Sequence, residues 1–202
     1  QKCISASIMI ASCVRSMILG RDTKLHEIIP DTTHMVLTLN RMENDDDIKD
    51  MIKFTSKGYC TDIKNAELKD DKKYVYKCMT AGIWALGRVN QLCSTDEKIS
   101  LSPSEHFKVI INMLKDEGGA INDNCSLAGA LMGCEIGYEN LPMDWLSLMS
   151  SEHRGWVNEC SIKFLQSLSL VRPDVEFDNV LDDEGDEGDE GDEGDEGDEG
   201  DE

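Results

Sequence analysis

A glycine turn followed by polar residues, at the start of an apolar helical stretch, is the part of this sequence best suited to chemistry. Gly118-Gly119 precedes Asn122, Asp123 and Asn124, and Asn122 has the side chain of an N-cap residue. Backbone N–H groups lack partners at a helix N-terminus, and the helix dipole is positive there. An anion or a metal-bound phosphate can dock at such a position. We therefore take Gly118, Gly119 and Asn124 as candidate ligand-binding residues.

The other residues that commonly carry catalysis are scattered along the chain. None of the eight cysteines forms a C-x-x-C pair, and no cysteine–histidine set has zinc spacing. His26-Glu27 lacks the second histidine of a metalloprotease, and Gly118-Gly119 lacks the Lys-Ser/Thr of a phosphate loop. His106 is expected on the polar side of its helix. Most cysteines lie in apolar runs, which is typical of a reducing compartment and predicts an intracellular location, cytoplasmic or nuclear.

The acidic charge of the chain is concentrated at its end. Among 202 residues, 41 are acidic and 20 basic, a net charge of −21; residues 182–202 hold 15 of the acids and no base. The preceding 181 residues therefore carry 26 acids and 20 bases, a net charge of −6. Without a basic face, binding to nucleic acid is not expected. The apolar run at 8–18 is interrupted by Arg15, so no segment is expected to span a membrane.

From Asp183 onward the chain repeats Asp-Glu-Gly six times and ends in Asp201-Glu202. This stretch has no apolar side chain to bury, so we predict a disordered acidic tail over 171–202. One interpretation of the repeats is a tolerated sequence expansion. The other is a polyanionic arm that contacts basic proteins.

Helical patterns dominate the rest, and the fold class we predict is all-α. Ser102-Pro103-Ser104-Glu105 has the residues of a capping box with proline at the first helical position. Strand signals are few, and the best of them is the short run at 35–39. Helices are predicted at 4–19, 46–56, 73–89, 103–117, 123–138, a short stretch after Pro142, and 152–169.

The helix predicted at 123–138 carries a row of small residues. Cys125, Gly129, Gly133 and Gly137 are each four positions apart and share one face. Each interior glycine costs about 1 kcal/mol relative to alanine. We therefore expect a buried central helix whose small face lets another backbone approach closely.

The stretch from Gly118 to Gly133 resembles the C-terminal signature of the ADP-ribosylglycohydrolase family. That signature is roughly Gly-Gly-Asp-x-Asp-Thr/Ser-Asn-x-x-x-Ala-Gly-Ala-Leu-x-Gly, and it aligns here without gaps. Gly137-Tyr138 and the Leu-Pro-x-x-Trp-Leu run at 141–146 extend the similarity. The opening run at 2–7 is similar to the Arg-Cys-x-x-Ser helix of that family. The resemblance covers residues 1–170 and implies the later part of a compact multi-helix domain that is N-terminally incomplete.

The resemblance implies a site for two Mg²⁺ ions. It also implies the reaction of the family, which is hydrolysis of the glycosidic bond between ADP-ribose and a modified side chain. Carried over by position, the two aspartates of the signature fall on Ala120 and Asn122, and the Thr/Ser falls on Asp123. Asn122 and Asp123 are therefore the candidate metal ligands, in a degenerate form of the motif. The family's other acidic cluster would precede Gln1. Because Mg²⁺ prefers charged oxygen ligands, the resemblance predicts a chain with a weakened metal site.

The interpretation we take forward is an ADP-ribosylglycohydrolase-like domain over 1–170 that is catalytically degenerate as this chain stands, with the acidic tail after it. ADP-ribose or ADP-ribosylated protein is the partner that the resemblance implies. Two alternatives stay open. One is a module that binds ADP-ribose or a nucleotide without hydrolysis, and the other is an interaction module that works through the acidic tail. A product without a selected role is a further possibility.

Overall fold

The computed structural model describes residues 1–20, 25–40, 45–70, 74–93 and 101–170, and within these ranges all regular structure is helical. The predicted all-α fold class is confirmed. The helices are α1 (Lys2–Ile18), α2 (Leu25–Asn40), α3 (Asp45–Thr55), α4 (Lys57–Thr61), α5 (Val75–Cys93), α6 (Pro103–Glu117), α7 (Ile121–Ile136), α8 (Met143–Leu146) and α9 (Ser151–Ser167), with 3-10 helices at Ile63–Ala66 and Tyr138–Asn140.

The helix ends follow the signals in the sequence. At the start of α6, the Ser102 hydroxyl accepts from the Glu105 N–H at 3.3 Å, and the Glu105 carboxylate accepts from the Ser102 N–H at 2.8 Å. This reciprocal pair is the predicted capping box. Past the end of α1, Gly20 has φ +62°, a conformation that glycine adopts without steric cost.

The run with the best strand signal, 35–39, belongs to helix α2, for which no helix was predicted from the sequence. Ile28, Thr32 and Val36 are buried and lie four positions apart, so the helical period places them on one face. The Thr32 hydroxyl donates to the Ile28 carbonyl at 2.6 Å, which satisfies its hydrogen bond inside the helix. A short β-branched run therefore carries strand propensity that the packed helix overrides.

Helix α5 lies at the centre of the core. Its buried residues include the large side chains of Tyr76, Met79, Ile83, Trp84 and Leu86. Thr80, Ala81, Ala85 and Val89 are buried as well. The central helix is thus α5, and the prediction that α7 has this role is wrong: α7 buries Asn124, Ala128, Leu131 and Met132 on one side and exposes other positions.

The row of small residues on α7 contacts side chains and not a second backbone. A Cβ added at Gly129 would lie 3.6 Å from the Phe107 ring, and one added at Gly133 would lie 3.6 Å from the Leu141 side chain. Gly137 follows the helix with φ +78° and ends it. The expected close backbone approach along this row is therefore wrong, since ordinary side-chain contacts cover it.

Room for close packing between α5 and α7 comes from a different glycine. A Cβ added at Gly82 of α5 would lie 2.9 Å from Cγ of Leu127 and 3.2 Å from the Leu131 side chain. These two helices pack most extensively against each other. The close contact that the glycine row seemed to require is made by the partner helix.

The polar position predicted for His106 is also wrong. His106 is 5% exposed, and it shares its face of α6 with Ile110 and Leu114, which are fully buried. These residues lie four positions apart, so the helical period brings the imidazole onto the apolar side.

Contacts divide the chain into two compact units, Gln1–Leu148 and Met149–Glu202. The first holds α1 to α8, and the second holds α9, whose N-cap Ser150 accepts from the His153 N–H at 3.3 Å. In the part of the chain that the structure describes, no helix is both long and apolar enough to cross a membrane. The predicted acidic tail at 171–202 lies outside the described residues, and the boundary predicted at residue 170 stays a prediction.

Candidate functional site

The turn between α6 and α7 is built from two glycines in left-handed conformation. Gly118 has φ +75° and Gly119 has φ +78°. Residues with a Cβ atom rarely adopt these backbone angles. Gly118 also ends α6, since its N–H donates to the carbonyls of Leu114 and Lys115. The glycine turn predicted from the sequence is therefore present, and its backbone geometry explains why glycine stands at both positions.

A segment of the same chain lies directly against this turn. A Cβ added at Gly119 would lie 2.2 Å from the carbonyl oxygen of Leu68 and 2.8 Å from its carbonyl carbon. At Gly118 it would lie 3.2 Å from the stem of the Lys69 side chain. Leu68 and Lys69 follow the 3-10 helix Ile63–Ala66. The missing side chain of Gly119 thus makes room for the chain's own backbone on that side.

Asn124 fixes the turn from inside the molecule. Its side chain is 2% exposed, and its Nδ2 group donates to the Gly118 carbonyl at 3.4 Å. The N–H of Asn124 donates to the Ala120 carbonyl at 2.9 Å. Of the three candidate ligand-binding residues, the structure therefore brings Gly118 and Asn124 into contact with each other. Gly119 is adjacent to them and packs against Leu68.

The first turn of α7 presents its polar residues to solvent. The N-cap position is Ala120, which has no side-chain hydrogen bond to the helix. The N-cap role considered for Asn122 is therefore wrong, because α7 begins at Ile121, one residue before it. Asn122 and Asp123 are both exposed. The candidate metal ligands thus lie on the outside of the turn that Asn124 holds from within.

Asp123 acts electrostatically on the neighbouring helix. On α5, burial raises the pKa of the Cys78 thiol to about 11, and the negative charge of Asp123 contributes in the same direction. A thiol with a raised pKa stays protonated at neutral pH, whereas metal binding and nucleophilic attack need the thiolate. Burial and the Asp123 charge thus disfavour the thiolate form of Cys78.

A charged network around Lys2 in the first unit was not predicted from the sequence. The Lys2 ammonium donates to Asp50 at 3.1 Å and to the Tyr74 hydroxyl at 3.2 Å, and lies 3.3 Å from Asp47. The Tyr74 hydroxyl donates to Asp50 at 2.6 Å. This network joins α1, α3 and the start of α5. Its members are far apart in the sequence, so no local pattern could have identified it.

The network shifts the ionisation of its members. The hydrogen bonds from Tyr74 and Lys2 hold the pKa of the Asp50 carboxyl below its ordinary value. Burial, followed by the hydrogen bond to Asp50, raises the pKa of the Tyr74 hydroxyl. The Tyr74 and Asp50 hydrogen bonds raise the pKa of Lys2. Each shift favours the state seen here, with Asp50 ionised, Lys2 charged and Tyr74 protonated.

Comparison with family models matches residues 1–173 to the ADP-ribosylglycohydrolase family. The chain belongs to this family. The resemblance read from the sequence over residues 1–170 is confirmed. No curated protein and no solved structure matches the chain.

The ADP-ribosylglycohydrolase fold therefore positions the glycine turn, while the residues at the metal motif do not fit Mg²⁺. The side chain of Ala120 has no oxygen that could bind a metal, and the side chain of Asn122 offers a neutral amide oxygen. Asp123 supplies one exposed carboxylate. Within the described ranges, no group of three or more His, Cys, Asp or Glu side chains could hold a metal ion. Since Mg²⁺ gives up its water only for well-placed charged oxygens, this donor set is insufficient.

Proposed function

We propose that this chain is a catalytically degenerate ADP-ribosylglycohydrolase module, which retains the family's helical scaffold and does not hydrolyse ADP-ribose. The observation that carries the proposal is the occupancy of the two motif aspartate positions by Ala120 and Asn122. The reaction of the family is Mg²⁺-dependent hydrolysis of the bond between ADP-ribose and a modified side chain. A charged, fixed metal centre supplies an activated water in such a reaction, and these residues do not provide one.

Asp123 does not replace the lost carboxylates. Successive residues of an α-helix are rotated by about 100° around its axis, so Asp123 projects in a different direction from Asn122. Both side chains are exposed, and neither has the packed surroundings that hold a ligand in one geometry. One mobile carboxylate in water gives little affinity for a strongly hydrated cation.

Magnesium binding by two variants of the chain tests this explanation. We expect no heat of binding when Mg²⁺ alone is titrated calorimetrically into the wild-type chain. The double variant A120D/N122D restores both motif carboxylates at the positive end of α7, where the helix dipole favours them. We expect measurable Mg²⁺ binding by this variant. The matched control is N140D, which adds a carboxylate in the 3-10 helix that follows the opposite end of α7.

Two results would contradict the explanation. Specific Mg²⁺ binding by the wild-type chain would show that its site is intact. Absence of binding by both proteins, with the double variant folded by circular dichroism, would show that the two substitutions do not account for the loss.

The non-catalytic alternative, a module that binds ADP-ribose without metal, is supported by one further feature. Since Ala120 provides no side-chain cap, the first N–H groups of α7 have no side-chain acceptor and are oriented toward an incoming phosphate. Binding of ADP-ribose in the presence of a chelator would support this alternative. Replacing Asp123 with asparagine would then strengthen binding, because a negative charge beside the phosphate is removed. No binding in either protein would refute it.

The acidic tail supports a second kind of partner. Residues 182–202 hold fifteen carboxylates and no basic residue. Their negative charge favours association with basic proteins by electrostatic attraction, which salt screens. Removing residues 182–202 should abolish such association, and added salt should weaken it. Association that is unchanged by the truncation would dispose of this role.

A further inference from the structure

A small cavity outside the glycine turn has both aromatic walls and charged groups. It has a volume of about 270 Å³ and lies where α3, α4, the 3-10 helix and the start of α5 meet. Its lining includes Lys53, Phe54, Tyr59, Glu67, Tyr74 and Lys77. These residues lie outside the signature from Gly118 to Gly133.

Three aromatic rings form one wall of this cavity. The Phe54 ring centroid lies 5.2 Å from that of Tyr59 and 5.3 Å from that of Tyr74, with tilted planes. Phe54 is buried, whereas Tyr59 and Tyr74 are partly exposed. Tyr74 also contacts the Tyr76 ring, with centroids 5.7 Å apart, and the Lys2 ammonium at 5.0 Å. The exposed parts of the two tyrosine rings are the surface left for a further ring at the usual separation of about 4.5–7 Å.

Of the two cations that the structure describes at these rings, Lys2 is paired with Asp50, whereas Lys53 acts on Asp50 only at longer range. The Lys53 ammonium lies 5.5 Å from the Phe54 centroid and 5.7 Å from the Tyr59 centroid. Over the described ranges, no carboxylate lies within ion-pair distance of it. The other lysine of the lining, Lys77, donates to the backbone carbonyls of Glu67 and Asp70. Lys53 is therefore the lining cation that is left for a ligand.

The two carboxylates at the cavity differ in how far their charge is compensated. Asp50 is engaged by Tyr74 and Lys2, so its charge is already compensated. Glu67 stands at the rim with an exposed side chain, and its backbone has φ +46°. Strained backbone of this kind is often found beside functional sites. Among the described residues, Asp50 and Glu67 line the cavity, and both would oppose a ligand anion at Lys53, Asp50 less because Lys2 offsets its charge.

We propose that this cavity binds a single-ring aromatic carboxylate, with the ligand ring against Tyr59 and Tyr74 and its carboxylate on the Lys53 ammonium. A cationic ligand would compete with Lys53 for the same rings. The volume is just below the range of about 300–1,000 Å³ typical of drug-sized ligands, so one ring fills it. This inference is independent of hydrolysis and of the glycine turn.

A titration with benzoate, followed by NMR signals of the tyrosine rings, tests the proposal on the full chain. We expect saturable shifts of Tyr59 and Tyr74 in the millimolar range. Lys53→Met removes the charge and keeps an apolar stem, and should weaken binding at least threefold. Lys57→Met is the matched control, because Lys57 is exposed on the adjacent helix and is not part of the lining. It should leave binding unchanged.

Two further probes examine the ring and the sign of the charge. Cyclohexanecarboxylate should bind more weakly than benzoate, and benzylammonium should not shift these tyrosines. Glu67→Gln should strengthen benzoate binding about twofold, because it removes a repelling charge. The proposal is overturned if benzoate produces no saturable shift, if Lys53→Met and Lys57→Met weaken binding equally, or if benzylammonium binds as well as benzoate.

Discussion

Replacing Gly119 with alanine tests whether the glycine turn is required by packing within the chain. The added Cβ would lie 2.2 Å from the Leu68 carbonyl oxygen and 2.8 Å from its carbonyl carbon. Both are backbone atoms, so neither can rotate away as the end of a side chain would. The substitution therefore forces the segment that carries Leu68 away from the turn, in the absence of any ligand.

The expected loss of stability has two parts. Holding alanine at φ +78° costs about 1–2 kcal/mol. Overpacking against a fixed backbone costs about 1–3 kcal/mol. Gly119→Ala should thus lower the free energy of unfolding by about 2–5 kcal/mol, a large part of the about 5–15 kcal/mol available to a typical domain.

Gly129→Ala is the matched control on the neighbouring helix. Its Cβ would meet the Phe107 ring at 3.6 Å, an ordinary contact, and alanine gains about 0.5–1 kcal/mol over glycine inside a helix. Urea unfolding followed by circular dichroism measures both variants. A Gly119→Ala protein within about 0.5 kcal/mol of the wild type, or an equal loss in both variants, would refute the packing explanation.

Three further predictions follow from the described contacts. Ser102→Ala removes the capping box and should cost about 1 kcal/mol in urea unfolding; an unchanged midpoint would contradict it. The Tyr74 hydroxyl holds the pKa of Asp50 below its ordinary value, so the ionised carboxylate stabilises the folded state above about pH 4. This contribution to the free energy of unfolding is lost as the pH falls through the pKa of Asp50 in the folded protein. Asp50→Asn should therefore make the free energy of unfolding depend less on pH in this acidic range. Burial raises the pKa of Cys13 to about 11, so iodoacetamide at pH 8 should modify the exposed Cys3 and spare Cys13 by peptide mass spectrometry; equal labelling would show that the core opens.

Local signals predicted most of the described helices, but not α2 (Leu25–Asn40) or α4 (Lys57–Thr61). The capping box at Ser102 and the helix end at Gly20 are formed by residues that are close in the sequence. A local sequence pattern is therefore enough to predict them. Helix α2 was not predicted, because its run at 35–39 has residues that favour strands and this propensity depends on packing. His106 was misread because its partners in the buried face, Ile110 and Leu114, lie on the following turns of the helix.

The candidate site was predictable only in part. The signature placed the glycine turn at Gly118 and Gly119 and showed that the metal positions hold Ala120 and Asn122. The contact of Gly119 with Leu68 joins distant parts of the chain, and no spacing in the sequence reveals it. The same holds for the network around Lys2 and for the aromatic cavity, since each is assembled from several helices.

The measurement that tests the central proposal most directly is release of free ADP-ribose from ADP-ribosylated protein by this chain in millimolar Mg²⁺. The loss of both motif carboxylates at Ala120 and Asn122 predicts release no faster than in the absence of the chain. Mg²⁺-dependent release above that background, which is abolished by a chelator and absent from a heat-denatured control, would contradict catalytic degeneracy and show that the chain hydrolyses the bond.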